Sequence, residues 1–518
     1  MIKRCIMAGL AATMLAFNAH AEPVAGGTAN VLLQPEPPGL MLGIVQNAPA
    51  QMVGGNIYEG LLRYGKDMEP MPQLATSWEV SEDGTIYTFH LRDDVTWHDG
   101  KPFKADDVVF SADVFLRETH SRFRTVLKRV EKIEAVDDYT VRFILKEPFD
   151  PFLKVFEPLT MPMVPRHIYE GTDFFKNPAN NHPIGTGPFK FAEWVKGSYV
   201  HLAKHENYYE EGKPYLDNIY WHVVPDAASR TVAYENGTVD ILPGGSVENF
   251  DIQRLASLEN SCITQDGWEL LAPMSFLWLN NREAPLDDKR FRQAVMYALD
   301  RKFAHEVLWN GFGKIPTGPV ISSSRLYTDD VTNYEHNPEK ARKLLEEMGY
   351  DGKPIRLMPL PYGETWQRWA EAVRQNLEEV GIRVELEPTD VAGWNQKISE
   401  WDYDMAFTFM NQYADPALGT ERLYVTEQIF KGSAFNNAEG YSNEEVDRLF
   451  AEGASAFPAE KRTAIYTELQ KKLNEDVPVA WLLELSFPTI YRCNVKDLVT
   501  TSIGLSDGFK DAWIEPRK

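Results

Sequence analysis

Residues 366–386 read WQRWAEAVRQNLEEVGIRVEL. Trp366, Trp369, Ala370, Val373, Leu377 and Val380 recur at three- and four-residue intervals, which places them on one face of a helix. Gly381 supplies the residue that ends such a helix, and Ile382, Val384 and Leu386 then alternate as one face of a strand. A helix that feeds directly into a strand is the unit of an α/β lobe.

The same texture extends outward. Residues 288–299 carry Phe291, Ala294, Val295, Ala298 and Leu299 at helical spacing, and Asn337-Pro338 opens a helix that Gly349 closes. Further on, Ser442 and Glu445 have capping-box spacing ahead of Val446, Leu449 and Phe450. Pro458 opens a helix bearing Ile465, Leu469 and Leu473, and residues 479–485 read as a buried strand. Toward the N-terminus the pattern is different. Residues 29–33 form a first strand, and residues 76–91 form a hairpin about Ser81-Glu82-Asp83-Gly84 in which Tyr87, Phe89 and Leu91 alternate. A turn at Asp99-Gly100, a helix-like stretch over 107–117 and a strand with Val141, Phe143 and Leu145 complete an α+β insert. Residues 184–241 are strand-rich and break at Pro243-Gly244-Gly245, and the residues after Tyr491 read as irregular and returning to the first lobe.

Composition bounds the partners. The chain has 518 residues, 76 acidic and 53 basic, so its net charge of −23 disfavours a surface that tracks nucleic-acid phosphates. Lys3 and Arg4, an apolar run from Ile6 to Phe17 and Ala19-His20-Ala21 have the form of a secretory signal over residues 1–21. Its removal leaves 51 basic against 76 acidic residues, a net charge of −25. Cys5 precedes the apolar run and is not placed for a lipid anchor, so a soluble exported protein is expected. Cys262 and Cys493 remain, either as one bridge or as two buried thiols, two readings between which the sequence does not decide.

Catalytic constellations are scarce. Gly185-Thr186-Gly187-Pro188 lacks the third glycine of a dinucleotide loop and the Gly-Lys-Ser/Thr end of a phosphate loop, and there is no Gly-x-Ser-x-Gly elbow. His201, His205 and Glu206 imitate a metal motif, but their setting reads as a strand, in which positions four apart are separated by about 13 Å. No metal and no cofactor are therefore expected. Asp402 and Asp404 are the pair a secreted hydrolase would use. Trp366, Trp369, Trp394, Trp401, Tyr403 and Tyr413 crowd one lobe; most belong to its core, and two or three are expected to line a ligand cavity.

Several blocks together carry a resemblance. Ile57-Tyr58-Glu59-Gly60-Leu61, residues 72–84 (PQLATSWEVSEDG), Tyr87-Thr88-Phe89-His90-Leu91-Arg92, His98-Asp99-Gly100, Gly185-Thr186-Gly187-Pro188-Phe189, Arg290-Phe291-Arg292-Gln293-Ala294 through Leu299-Asp300-Arg301, and Tyr441-Ser442-Asn443 resemble, in order, the signature blocks of the extracellular solute-binding proteins of family 5, which include dipeptide- and oligopeptide-binding proteins.

The resemblance implies an α/β chain with the two-lobed periplasmic-binding-protein fold (type II, cluster C-like) and an extra α+β domain in the first lobe. Lobe I would take residues 22–66, 183–268 and 490–518, the extra domain 67–182, and lobe II 269–489. It further implies a monomeric periplasmic receptor, not an enzyme, that closes about a hinge on a peptide or peptide-like solute and delivers it to an inner-membrane ABC permease. Family members also carry nickel, haem, opines and oligosaccharides. In peptide-binding relatives an Asp in a strand-end loop pairs with the ligand's α-amino group. Residues 404–410 read as a strand, and Asn411, Gln412, Tyr413 and Asp415 form the loop at its end, so Asp415 is the expected anchor. A sugar would stack instead on Trp366, Trp394 and Tyr413.

Overall fold

The computed structural model describes residues 22–457 and 459–516. The signal-like segment 1–21 and Pro458 lie outside the described residues.

Two large mixed sheets organise the chain. The first has seven strands in the order Ser261–Thr264, Thr489–Arg492, Ile241–Leu242, Thr28–Leu33, Asn218–Val223, Tyr199–Lys204, Phe189–Val195. Thr28–Leu33 lies near its middle, parallel to Asn218–Val223 with Val31 opposite Trp221. The second has five, in the order Val384–Leu386, Ile355–Met358, Met405–Asn411, Pro273–Leu279, Val479–Glu484. All seven residues of Pro273–Leu279 are buried, as expected of a strand covered on both faces. A third sheet, antiparallel, pairs Ala75–Val80, Ile86–Leu91, Thr140–Leu145 and Val130–Asp137.

The segment at 366–386 folds as its pattern requires. The helix Glu364–Glu379 buries Trp366, Trp369, Ala370, Val373 and Leu377, Gly381 takes φ 94°, and Val384–Leu386 follows as a strand parallel to Ile355–Met358. Asp288 caps Lys289–Ala298, and Asn337 caps Pro338–Met348, which ends at left-handed Gly349. One local reading is corrected and two are refined. Asn443 rather than Ser442 caps Glu444–Ser455, because its side chain reaches the backbone N–H groups of Glu445 and Val446. The stretch 107–117 is two short α-helices, Ala105–Val109 and Leu116–Thr119, joined by a wider π turn, Phe110–Phe115. The residues after Tyr491 are mostly irregular, with one short strand pair, Val495–Lys496 against Trp513–Ile514, and they pack into the core of the seven-stranded sheet.

Apolar side chains gather into two main cores. One runs without a break from the seven-stranded sheet into the four-stranded antiparallel sheet; the other fills the space around the five-stranded sheet. Cys262 and Cys493 form a disulfide with Cα atoms 5.1 Å apart. The chain leaves the first sheet after Thr264 and returns to it at Thr489, so the bridge ties the exit strand to the residue that directly follows the re-entry strand, and the whole second body is inserted between them. His201 lies in the strand Tyr199–Lys204, stacked on Tyr220 and bonded to Asn218 Oδ1 at 2.8 Å, while His205 lies beyond the strand end against the Gly187 carbonyl.

Candidate functional site

Met405–Asn411 runs parallel to Ile355–Met358 on one side and antiparallel to Pro273–Leu279 on the other. Its C-terminal end thus opens where the sheet changes direction, the position at which α/β sheets receive ligands. The loop there is tightly determined. The Gln412 N–H donates to Leu271 O at 2.9 Å, and Tyr413 and Ala414 both adopt left-handed backbone, φ 50° and 53°. Two successive non-glycine residues in that region store strain on the order of 1–3 kcal/mol each, which surrounding contacts must hold in place. Gln412 accepts a hydrogen bond from the Thr420 hydroxyl, and Asp415 Oδ1 accepts from the Ala417 N–H at 3.1 Å, capping the turn Pro416–Thr420.

Side chains from the N-terminal part of the chain close over this loop. Lys154 Nζ donates to Ala414 O at 3.1 Å and lies 3.4 Å from Asp415 Oδ2. The Arg122 guanidinium sits 3.9 Å above the Tyr413 ring, a cation–π contact. From the helix Ala459–Asp476, Arg462 donates to both Asp415 oxygens, at 2.6 and 2.9 Å, and to Asp150 Oδ2 at 3.2 Å. Burial pushes the Asp415 carboxyl up, but Lys154 and Arg462 outweigh it and hold the group below the usual carboxylate range.

The expected anchor is therefore occupied from within. Asp415 is 2% exposed and its oxygens face Arg462, Lys154 and Ala417 N–H, so it fixes the loop instead of presenting a bare carboxylate to a ligand ammonium. Trp366 and Trp394 are also reassigned. Trp366 packs among Trp309, Trp369, Phe407 and Phe409, and Trp394 stacks on Trp278, both inside the second core, because their flat faces are matched by other rings. Gln412 is buried under the loop, and Asn411 ends the strand opposite Pro273. Tyr413 remains part-exposed at the seam between the two bodies. Asp402 and Asp404 both bind Arg356, at 2.8 and 3.2 Å, and Asp402 also binds Lys397.

A second seam lies nearer the crossing segments. The helix Glu364–Glu379 has Gly363 at its N-cap and no cap from its own side chains. Glu248, from the first body, supplies one: its carboxylate accepts from the Glu364 and Thr365 N–H groups at 3.3 and 3.4 Å and from the Thr365 hydroxyl at 3.2 Å. Asn249 Nδ2 donates to Leu308 O, and Trp268 Nε1 donates to Phe487 O at 2.8 Å. Phe487 O in turn lies where a Cβ on Gly244 would come within 2.1 Å, which explains the glycine at that break.

The residues missed by sequence reasoning are the cations around the loop: Arg122, Lys154, Arg422 and Arg462. None stands in a recognisable motif, and Arg462 lies 47 residues from its partner.

Comparison with known proteins gives a consistent result. The sequence model of "Bacterial extracellular solute-binding proteins, family 5 Middle" matches residues 69–430. The glutathione-binding protein GsiB of Salmonella paratyphi A is 29% identical over 488 residues, covering 91% of this chain and 90% of its own. The substrate-binding protein CtaP of Listeria monocytogenes superposes with a TM-score of 0.84 at 26% identity, covering 95% of this chain and 99% of its own. The binding protein AgaA of A. tumefaciens R10, solved with agropinic acid, has a TM-score of 0.80 at 26% identity, with the same coverage.

Proposed function

Because the chain belongs to the bacterial extracellular solute-binding proteins of family 5, we propose that it is the periplasmic receptor of an ABC importer for a peptide-like solute. It captures the solute by closing its two bodies about the crossing segments near residues 265–273 and 485–488, and hands it to an inner-membrane permease as a monomer without covalent chemistry. The observation that carries this reading is the loop after Met405–Asn411, at a sheet switch point, met by Arg122 and Lys154 from the opposite body. Relatives support the solute class: one is named for glutathione binding, and the AgaA structure holds agropinic acid. The same reading takes residues 67–182 as an extra domain of lobe I.

Mass spectrometry of the small molecule released from freshly purified protein tests it. A peptide or amino-acid conjugate is expected; an oligosaccharide would move the assignment to another solute class.

A further inference from the structure

Arg422 stands apart from the other inward-facing arginines. Arg63, Arg230, Arg292, Arg301 and Arg462 are each buried, and each donates to a carboxylate or to backbone carbonyls. Arg422, in the turn Glu421–Leu423 just beyond the strained loop, makes no hydrogen bond or ion pair among the described residues, and its Nε is sealed from solvent without a partner. The residue as a whole is part-buried, and of its guanidinium nitrogens only Nε is sealed, which leaves the two terminal nitrogens the more accessible ones. Burial pulls it below the usual arginine range; the Tyr413 phenol partly offsets this, and Arg122 pulls it down further. A second cation, Arg122, thus acts on it electrostatically from the other body.

The nearby acids do not answer this charge. Asp415 is taken by Arg462 and Lys154. Glu157, approached by Arg122 at 3.8 Å, accepts from the Leu159 N–H and the Thr160 hydroxyl. Glu421, the adjacent residue, is pushed up to about 7 by burial. A desolvated guanidinium without a counter-charge is costly, and the seam gives it one natural partner, an anion from outside the chain.

We propose that Arg422, with Arg122 and the Tyr413 hydroxyl, forms a subsite for a carboxylate of the bound solute. This deepens the peptide-like reading above and rests on it for the solute class. Arg422 supplies the planar donor fork that suits a carboxylate, and Tyr413, in the left-handed turn nine residues earlier, is close enough to act on it electrostatically. Arg122, held over the Tyr413 ring and bonded to Leu159 O at 3.2 Å, brings the opposite body onto the same anion, so carboxylate binding and closure favour one another.

Calorimetry with glutathione and trialanine, each beside its ester or amide with the C-terminal carboxylate blocked, tests the subsite in wild type and Arg422→Gln. The expected result is at least about 30-fold weaker binding of the free acids by the variant, with the difference between free and blocked probes lost. Equal affinity of wild type and variant for a free acid that wild type binds would overturn it. A thermal melt in millimolar succinate, with Arg422→Met alongside, separates the two readings. Stabilisation by succinate that needs Arg422, in a protein that ignores every peptide, keeps the anion subsite and removes the peptide assignment. A ligand-free Arg422→Met that melts well below wild type would show a structural arginine and overturn the subsite, whereas an unchanged or higher melting temperature supports it.

Discussion

Arg462 holds Asp415 with two charge-assisted hydrogen bonds, Nη2 to Oδ1 at 2.6 Å and Nη1 to Oδ2 at 2.9 Å, and both side chains are almost fully buried. The pair links the strand-end loop to the helix Ala459–Asp476, and through Asp150 and Lys154 it extends to the other body. Such a pair is costly to break on one side alone, since the survivor is left buried and uncompensated.

Asp415→Asn should accordingly destabilise the ligand-free protein by about 3–5 kcal/mol, and Arg462→Met should do the same. The double variant should lose less than the sum of the two. Denaturant unfolding of the three variants measures this; an Asp415→Asn protein as stable as wild type that had lost affinity for amines would restore Asp415 as a ligand anchor.

Glu421 predicts a pH dependence of defined sign. Burial raises its carboxyl to about 7; Arg129 opposes the rise, and Glu427 and Asp415 add to it. Between the ordinary glutamate value and 7 the folded protein binds more protons at this site than the unfolded chain, so the Glu421 contribution to stability falls as pH rises through that window. Glu421→Gln removes this titration: relative to wild type it should be on the order of 1–3 kcal/mol more stable at pH 8 than at pH 5. Parallel wild-type and variant stability curves across that range would contradict the assignment.

The disulfide predicts both a chemical and a thermodynamic result. Among residues 22–518 the only cysteines are Cys262 and Cys493, so the protein lacking residues 1–21 should show no reactive thiol in denaturant without reductant. The bridge spans a sequence separation of 231, and in the chain-entropy model its removal costs about 5 kcal/mol. Unfolding of Cys262→Ser/Cys493→Ser beside wild type measures it, and a loss under about 1 kcal/mol would show that the exit and re-entry strands hold together without it.

Most of the second body was legible in the sequence because local rules and packing agree there. Trp366 through Leu377 lie on the buried face that their spacing requires, and Asn337, Asp288 and Gly349 cap the helices they flank. The strand leading to Asn411 was also legible, as was the loop after it. The chemistry of that loop was not. Spacing reports which face a side chain is on but not what meets it from a distance of hundreds of residues, and Lys154 reaches Asp415 across 261 positions. The tryptophans misled for a related reason: a large ring suits a sugar or a core equally well, and Trp366 and Trp394 found other rings to pack against.

Glu248 gives a probe of closure that leaves the strand-end loop alone. Its carboxylate caps the helix Glu364–Glu379 from the other body, so Glu248→Ala should cost about 0.5–2 kcal/mol, lost only when the bodies are together. Affinity for a bound solute should fall up to about 30-fold with little change in the stability of the ligand-free protein. An unchanged affinity would place this contact outside the closing motion.

The claim that the protein closes on a peptide-like solute is tested most directly by small-angle X-ray scattering of the purified protein, stripped of solute, titrated with glutathione and with di- to pentapeptides. The account predicts a smaller radius of gyration on saturation with at least one of them, at a 1:1 stoichiometry. A scattering curve unmoved by every peptide, or one that contracts only with a neutral sugar, would contradict it.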